Sequence, residues 1–200
     1  MFVQVVTAKV VDADGLQRQI ERWDNEIRPS AVGFLGGTRG VTDDGRLAVV
    51  ARFESAEAAQ ANSERPEQQA WFAETAKCLS DINFQDSNEV LVTRDGGTDR
   101  AGFVQLMRGR VADAAKMREL LARNDEFDAV MVEHRPDVLG DITMLHPDGA
   151  FTVAIYFTSE ADARANETKE MPPEIQAMFE EWMAVAPVDE FVDLKNPQFG

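Results

Sequence analysis

The chain of 200 residues contains the same pattern twice, and this internal repeat constrains its fold more than any other feature. The segment from Phe2 to Asp24, FVQVVTAKVVDADGLQRQIERWD, returns from Phe103 to Asp125 as FVQLMRGRVADAAKMRELLARND. Later landmarks return in the same order, including Arg28-Pro29 with Gly33 as Arg135-Pro136 with Gly140. A period near half the chain indicates a duplicated domain rather than a solenoid. We therefore expect two repeats, at 1–95 and 102–200, that do the work of a homodimer within one polypeptide.

Each repeat shows the order of elements β-α-β-β-α-β. In the first repeat, strands are expected at Phe2 to Val10, Val32 to Gly40, Leu47 to Phe53 and Val90 to Val92. Asp12 is expected to cap the first helix, and Pro66 to start a helix that runs to about Leu79. The stretch from Thr93 to Gly102, TRDGGTDRAG, has the composition of an exposed linker.

This order is typical of the ferredoxin-like unit, in which one face of an antiparallel sheet carries no helices. The sequence thus predicts an α+β protein of two ferredoxin-like βαββαβ units. The helix-free face of one unit would cover that of the other, giving an intrachain pseudo-dimeric α+β barrel. Further association into a homo-oligomer is left open.

Composition excludes several classes of function. The formal net charge is -16, and no basic face is visible that would neutralise a nucleic-acid backbone or an anionic membrane surface. Cys78 is the single cysteine, so an intrachain disulfide or a multi-cysteine metal site is excluded. We expect a cytoplasmic protein without nucleic-acid or membrane partners, because neither a leader peptide nor a membrane-spanning stretch is recognisable.

The residues from Gly33 to Pro66 carry a family resemblance. Gly33-Phe34-Leu35, then Phe53-Glu54-Ser55, then Glu57-Ala58 and Asn62 ahead of Pro66 resemble the dimeric α+β barrel proteins grouped as antibiotic biosynthesis monooxygenases. The resemblance covers nearly all of each repeat. It implies a pocket between the sheet and the helices of each unit, and it leaves the chemistry open because the family includes oxygenases, isomerases and haem enzymes.

The resemblance also indicates which positions would line these pockets. In haem-degrading relatives an Asn, a Trp and an axial His form the site, and the matching residues here are Thr7, Asn62 and Trp71 in the first repeat and Arg108, Asn166 and Met178 in the second. Neither repeat supplies that histidine. In quinone-forming relatives the polar site residues correspond here to the apolar Val49, Phe53, Ala59 and Phe72, and to Val153, Phe157, Ala163 and Phe179. Neither chemistry can therefore be carried over to this chain.

Two diverged pockets are the resulting expectation. The first would be apolar and aromatic, around Thr7, Trp23, Asn62 and Trp71, although packing in the core between helix and sheet is the more common role of such tryptophans. The second would be more polar, around Arg108, Asn124, Asn166 and Met178. Gln4 and Gln105 are expected to point away from the pockets, into the barrel.

Arg108 and the two histidines leave alternatives open. Arg108 is expected to enter the space between sheet and helices, where it would bind an anion or carbonyl of a ligand, or pair with a carboxylate such as Glu119. His134 and His146 are assigned to loops and lack the spacing of a metal motif, so no metal site is expected. No nucleophile motif is recognisable, and the catalytic residues stay unknown.

The leading hypothesis is binding of a small, partly aromatic organic molecule, with cofactor-independent oxygenation as the candidate reaction. No cofactor is expected, since the chain shows no flavin, nicotinamide or metal signature. The alternative is a non-catalytic structural or interaction protein whose pockets are filled cores. An open pocket of a few hundred cubic ångströms would favour the first hypothesis, and continuous packing in both units the second.

Overall fold

The protein is described by a computed structural model that covers the backbone of residues 1–200 and the side chains of all of them except Glu174. The chain divides into two compact units. The first comprises Met1–Asn88 together with Gln198–Gly200, and the second comprises Glu89–Pro197.

The first unit is a five-stranded sheet with helices. Its strands are β1 (Phe2–Val10), β2 (Phe34–Val41), β3 (Arg46–Phe53), β4 (Leu79–Ser87) and a short C-terminal strand, β10 (Gln198–Phe199). Its helices are α1 (Ala13–Arg22), α2 (Ala56–Ser63) and α3 (Pro66–Thr75). The strand order is β10-β2-β3-β1-β4, and all of the pairings are antiparallel.

Short polar side chains start two of these helices, and the sequence predicts this for Asp12. Asp12 accepts a hydrogen bond from the Gly15 amide at 2.9 Å, and Ser55 accepts one from the Ala58 amide at 3.2 Å. Helix α1 does not run unbroken to Arg28-Pro29, because a π-helical turn, Trp23–Ile27, and a 3₁₀ turn, Arg28–Ser30, follow it. Arg28, the residue before Pro29, keeps α-helical dihedral angles (φ −56°, ψ −42°), and the backbone becomes extended only at Ala31.

The second unit has the same order of elements. Its strands are β5 (Glu89–Arg94), β6 (Phe103–Arg110), β7 (Val138–Leu145), β8 (Ala150–Phe157) and β9 (Val188–Leu194). Its helices are α4 (Ala114–Ala122), α5 (Asn124–His134), α6 (Glu160–Glu167) and α7 (Pro173–Val185). The strand order is β5-β7-β8-β6-β9, again antiparallel. Asp113 and Ser159 cap α4 and α6 in the way that Asp12 and Ser55 cap their helices.

The C-terminal strand of each sequence repeat lies in the unit formed mainly by the other repeat. Val90 to Val92 belongs to β5, which pairs with β7 of the second unit, and β10 pairs with β2 of the first. The expectation that Val90 to Val92 closes the first sheet is therefore wrong. Helix α3 ends at Thr75, and β4, from Leu79 onwards, takes that place. A short helical turn, Ala76–Cys78, makes the transition.

Strand pairing fixes which residues of the two units are equivalent. Phe2 pairs with Phe53 in the first unit as Phe103 pairs with Phe157 in the second. Gly36 lies opposite Arg52 as Gly140 lies opposite Tyr156, so Gly36, not Gly33, is the counterpart of Gly140. The pairs Gln4–Asp86 and Gln105–Asp193 repeat as well, with hydrogen bonds of 2.9 and 2.8 Å.

The helices of each unit pack on one face of its sheet. In the first unit Leu16 of α1 packs with Ala8 of β1 and Leu47 of β3. In the second, Met117 of α4 packs with Phe151 and Val153 of β8. Since side chains alternate along a strand, Gln4 and Ala8 of β1 lie on the helix face, and so do Gln105 and Met107 of β6. The α+β fold with two ferredoxin-like units is thus confirmed.

Candidate functional site: a cavity in the second unit

A cavity of about 420 Å³ lies between the sheet and the helices of the second unit. Its volume falls within the range of roughly 300–1,000 Å³ that is usual for small-molecule sites. Most of its wall is apolar. The apolar side chains are Met107, Leu120, Phe127, Met131, Val138, Val153, Ile155, Phe157, Met171, Pro172, Ile175, Met178, Phe179, Trp182 and Phe191. Three of them, Met171, Phe179 and Phe191, are 40–55% exposed and mark the side on which the cavity meets solvent.

In the first unit an aromatic cluster occupies the equivalent space. The Trp23 ring centroid lies 5.0 Å from that of Trp71 and 5.8 Å from that of Phe34, and Phe34 in turn contacts Phe53 at 5.4 Å. The Trp71 indole also donates a hydrogen bond of 2.8 Å to the Gln19 carbonyl. Trp23 and Trp71 therefore pack against each other and against the sheet, which is the core role that the sequence left open for them.

The cavity exists because these aromatic residues have smaller counterparts in the second unit. Asn124 follows the helix cap Asp113 at the same distance along the chain at which Trp23 follows the cap Asp12. Val138 pairs with Phe157 as Phe34 pairs with Phe53, so Val138 is the counterpart of Phe34. Met178 corresponds to Trp71 by the same distance from the prolines that open α3 and α7. All three smaller residues line the cavity. Replacing large core side chains by small ones leaves space that a packed interior closes only in part.

The carboxylate of Asp141 belongs to the cavity wall. It lies on β7, and its two oxygens accept hydrogen bonds from the hydroxyl groups of Thr93 and Thr143, the latter at 3.2 Å. The Asp141 amide donates to the Thr93 hydroxyl at 3.0 Å, which fixes that threonine in place. Burial raises the pKa of Asp141 above its ordinary value, because desolvation outweighs the two threonine hydrogen bonds that favour the charged form.

An arginine–aspartate pair lies beside Asp141. Arg94 Nε is 2.8 Å from an Asp128 oxygen, and Arg94 also donates to the Val138 carbonyl at 2.6 Å. Both side chains are about three-quarters buried. The negative charge of Asp128 reinforces the raised pKa of Asp141, and the positive charge of Arg94 opposes it. Arg94 and Asp128 thus form a paired, polar end of the cavity together with Asp141 and Thr143.

Two further polar atoms in residues of the wall are buried and have no hydrogen-bonding partner among the described residues. They are Trp182 Nε1, a donor, and Asn166 Oδ1, an acceptor. The amide group of Asn166 is held by the Asp162 carbonyl at 2.9 Å, which leaves its oxygen as the available end. Buried polar groups are normally paired, so both atoms are candidates for contact with a bound molecule.

The predicted site residues fall into three groups. Asn124, Asn166 and Met178 line the cavity of the second unit. Trp23, Trp71 and Asn62 lie in the first unit, where Asn62 is 4% exposed and accepts a hydrogen bond from Arg65 at 2.8 Å. Thr7 and Arg108 lie on the sheet faces without helices.

The expectation that Arg108 enters the space between sheet and helices is wrong. The residues of β6 that reach that space are Gln105 and Met107, so Arg108 points to the opposite face. There it bonds Glu190 of the neighbouring strand at 2.8 Å. By the same alternation, Thr7 lies on the sheet face without helices and not in a pocket. Gln105 lines the cavity instead of pointing away from it.

His134, Arg94, Asp128 and Asp141 line the cavity and were not predicted to do so. His134 lies at the end of α5 rather than in a loop, with Nδ1 3.2 Å from the Val130 carbonyl. One signal for Asp141 is present in the sequence, since it is the only charged residue of the strand VLGDITML. Arg94 and Thr93 gave no such signal, because their strand resembles a linker.

Among the described side chains, no group of three or more His, Cys, Asp or Glu residues is arranged to hold a metal ion. None of the described helices combines the length and the apolar character needed to cross a lipid bilayer.

Comparison with known proteins gives similarity in structure only. No protein-family model matches the sequence, and no curated protein matches it. A putative monooxygenase from Lactobacillus acidophilus NCFM is 11% identical, with a TM-score of 0.69 over 100% of this chain and 98% of the other. One from Fusobacterium nucleatum is 9% identical, with a TM-score of 0.72 over 99% of this chain and 91% of the other.

A third solved structure, of an anthrone oxidase-like protein, is 11% identical and has a TM-score of 0.69 over 100% of this chain and 92% of the other. At such identities the likeness extends to the fold and not to the activity. The resemblance predicted from the sequence is confirmed at that level. The chain has the α+β fold of these two putative monooxygenases and of the anthrone oxidase-like protein.

Proposed function

We propose that the second unit binds a small, partly aromatic organic molecule in the cavity between its sheet and its helices. The observation that carries this proposal is the open space of about 420 Å³ at the positions where the first unit packs Trp23, Phe34 and Trp71. The same fold fills this space in one unit, so the open space in the other is a property of its residues and not of the architecture.

The wall favours a flat, apolar ligand with few polar groups. Phe127, Phe157 and Trp182 offer aromatic surfaces, and Met107 and Met178 offer polarisable sulfur atoms that pack well against rings. One end of the cavity holds Asp141, Thr143 and the Arg94–Asp128 pair, and Asn166 and Trp182 contribute buried polar atoms without a partner among the described residues. The wall also contains other polar or charged residues, which are Gln105, Arg123, Asn124, His134, Arg135, Glu167, Lys169, Glu170 and Glu181. A ligand whose polar substituent reaches Asp141 would satisfy both kinds of surface.

The candidate reaction is oxygenation without a bound cofactor. In such a reaction O₂ oxidises an activated methylene carbon of an aromatic substrate to a carbonyl and is reduced to water, so the substrate supplies all of the electrons. Support comes from the names of structurally similar proteins, two putative monooxygenases and an anthrone oxidase-like protein. Binding is the first step of this proposal, and it can be tested separately from catalysis.

A second role, structural and non-catalytic, is favoured for the first unit. Its aromatic cluster continues through Trp71 to Phe72 and Phe84, with ring centroids 6.4 and 5.7 Å apart. We propose that this filled core stabilises the unit and binds no ligand. The duplication would then have divided the work, with one unit packed for stability and the other open for binding.

Mass spectrometry of the small molecules that co-purify with the native protein tests the proposal. We expect an aromatic compound that is enriched in the wild-type protein and lost when the cavity is filled by Met178→Trp. Calorimetric titration with 2-naphthol, a two-ring aromatic alcohol, is the second assay. Absence of a co-purifying compound together with absence of heat on titration would contradict the proposed function.

A further inference from the structure

At the polar end of the cavity, no cation of the described residues is hydrogen-bonded to the carboxylate of Asp141. The positive charge of Arg94 acts on Asp141, but the Arg94 guanidinium directs its hydrogen bonds to Asp128 and to the Val138 carbonyl. The side chain of Asp141 is held instead by two neutral hydroxyl groups, those of Thr93 and Thr143. A buried carboxylate without a cation is costly unless several donors surround it.

Asp141 retains the capacity for at least one more hydrogen bond. Each carboxylate oxygen can accept about two, and Thr93 uses one position on Oδ1 while Thr143 uses one on Oδ2. The residue is only partly buried, and it belongs to the wall of the cavity. An additional donor can therefore reach it from the cavity.

We propose that Asp141 recognises a hydroxyl group of the bound molecule, so that the second unit selects aromatic alcohols of the phenol type over the corresponding ethers and hydrocarbons. This inference rests on the proposed function and specifies its ligand class. The ring system would lie among the methionine and aromatic side chains, and its hydroxyl group would donate a hydrogen bond to a carboxylate oxygen of Asp141, beside Thr143.

The same contact provides a route for proton removal. The O–H bond of the ligand breaks, the proton passes to a carboxylate oxygen of Asp141, and the electron pair stays on the ligand oxygen. The raised pKa of Asp141 supports this role, because it brings the carboxylate closer to the pKa of a phenol and makes it a better base. A phenolate is a better electron donor than a phenol, which is what reduction of O₂ by the ligand itself requires.

Calorimetric titration with three matched probes tests the selection. They are 2-naphthol, 2-methoxynaphthalene and naphthalene, of which the first alone can donate a hydrogen bond. We expect the wild-type protein to prefer 2-naphthol over the other two by roughly ten- to a hundredfold, the range expected for a hydrogen bond to a charged group. Asp141→Leu removes the acceptor and should abolish this preference while leaving naphthalene affinity unchanged. Asp141→Asn keeps an acceptor but loses the charge, and should retain an intermediate preference.

Asp189→Asn is the matched control, because this carboxylate is exposed on β9 and does not line the cavity. It should leave all three affinities unchanged. Circular dichroism shows whether each variant is folded. If Asp141→Leu does not fold, Asp141→Asn alone decides the test. Equal affinity of the wild-type protein for all three probes, or an unchanged preference in Asp141→Asn and Asp141→Leu, would overturn the inference and leave the proposed function intact. If none of the probes bound, the proposed function would fail and this inference with it.

Discussion

Met178→Trp restores in the second unit the residue that fills the first, and it is the sharpest test of why the cavity exists. In the first unit the Trp71 ring packs 5.0 Å from Trp23 and donates a hydrogen bond of 2.8 Å to the Gln19 carbonyl. The counterpart of Gln19 is Leu120, which lies in the cavity wall, so a carbonyl acceptor is present in the corresponding turn of α4. The larger ring should therefore enter the cavity with a partner for its N–H group.

The expected gain in stability is that of filling a cavity, about 0.5–2 kcal/mol in the free energy of unfolding. For a chain of this size each kcal/mol corresponds to a rise of about 2–4 °C in the melting temperature. The ring occupies space that the ligand would use, so affinity for 2-naphthol should fall at least tenfold, which is about 1.4 kcal/mol. Urea unfolding and calorimetric titration measure the two effects.

Trp71→Phe in the first unit is the control. It removes the hydrogen bond to the Gln19 carbonyl and part of the ring contact, so stability should fall by about 1–2 kcal/mol, while affinity for 2-naphthol should not change. The reasoning is refuted if Met178→Trp leaves affinity intact, or if Trp71→Phe lowers affinity as much as Met178→Trp does.

Three further outcomes are expected. Burial raises the pKa of Asp141, so this group binds its proton more tightly in the folded state than in the unfolded state. Its contribution to stability therefore falls as the pH rises from the ordinary aspartate pKa to the pKa in the folded state. Asp141→Asn should remove this pH dependence, so the melting temperatures of wild type and variant should change differently with pH, and parallel curves would contradict the prediction. Arg108→Met breaks the 2.8 Å ion pair with Glu190 on the face opposite the cavity. It should lower the free energy of unfolding in urea by about 1 kcal/mol and leave the affinity for 2-naphthol unchanged. A loss of affinity without destabilisation would instead support the ligand role predicted from the sequence. Hemin should not bind with one-to-one stoichiometry, because Trp71 and Met178 occupy the histidine positions of the haem-degrading relatives. His134 lies in the cavity wall, so a sharp Soret shift that His134→Ala abolishes would contradict this prediction.

The repeat in the sequence predicts most of the fold because local signals agree with each other. Asp12 marks a helix start in the structure as in the sequence, and Asp113 does so at the same place in the second repeat. The divergence of Trp23 to Asn124 and of Trp71 to Met178 was also visible, and it is the origin of the cavity.

The sequence does not show which face of the sheet each side chain of a strand such as β6 lies on, because the strand is apolar on both faces. In β6, Val104 and Leu106 are fully buried on one face while Phe103 is fully buried on the other, so no alternation reveals which face meets the helices. A shift of one residue moves every side chain to the other face, and Arg108 was misplaced for this reason.

The polar end of the cavity depends on a long-range pairing that no local pattern encodes. Thr93 contacts Asp141, which lies 48 positions further along the chain, because β5 pairs with β7. The sequence predicts a strand at Val90 to Val92, but Gly96, Gly97 and the charges around them assign Thr93 and Arg94 to a linker, whereas both belong to β5. Such pairings follow from the whole fold and not from the composition of the segment.

The central claim is that the second unit holds an aromatic ligand where the first unit holds its own tryptophans. A crystal structure of the protein with 2-naphthol tests it most directly. The account predicts density for one ring system in the cavity of the second unit, with its hydroxyl oxygen within hydrogen-bonding distance of Asp141, and Trp23 and Trp71 in contact in the first unit. A cavity closed by its own side chains, or a ligand bound only elsewhere, would contradict it.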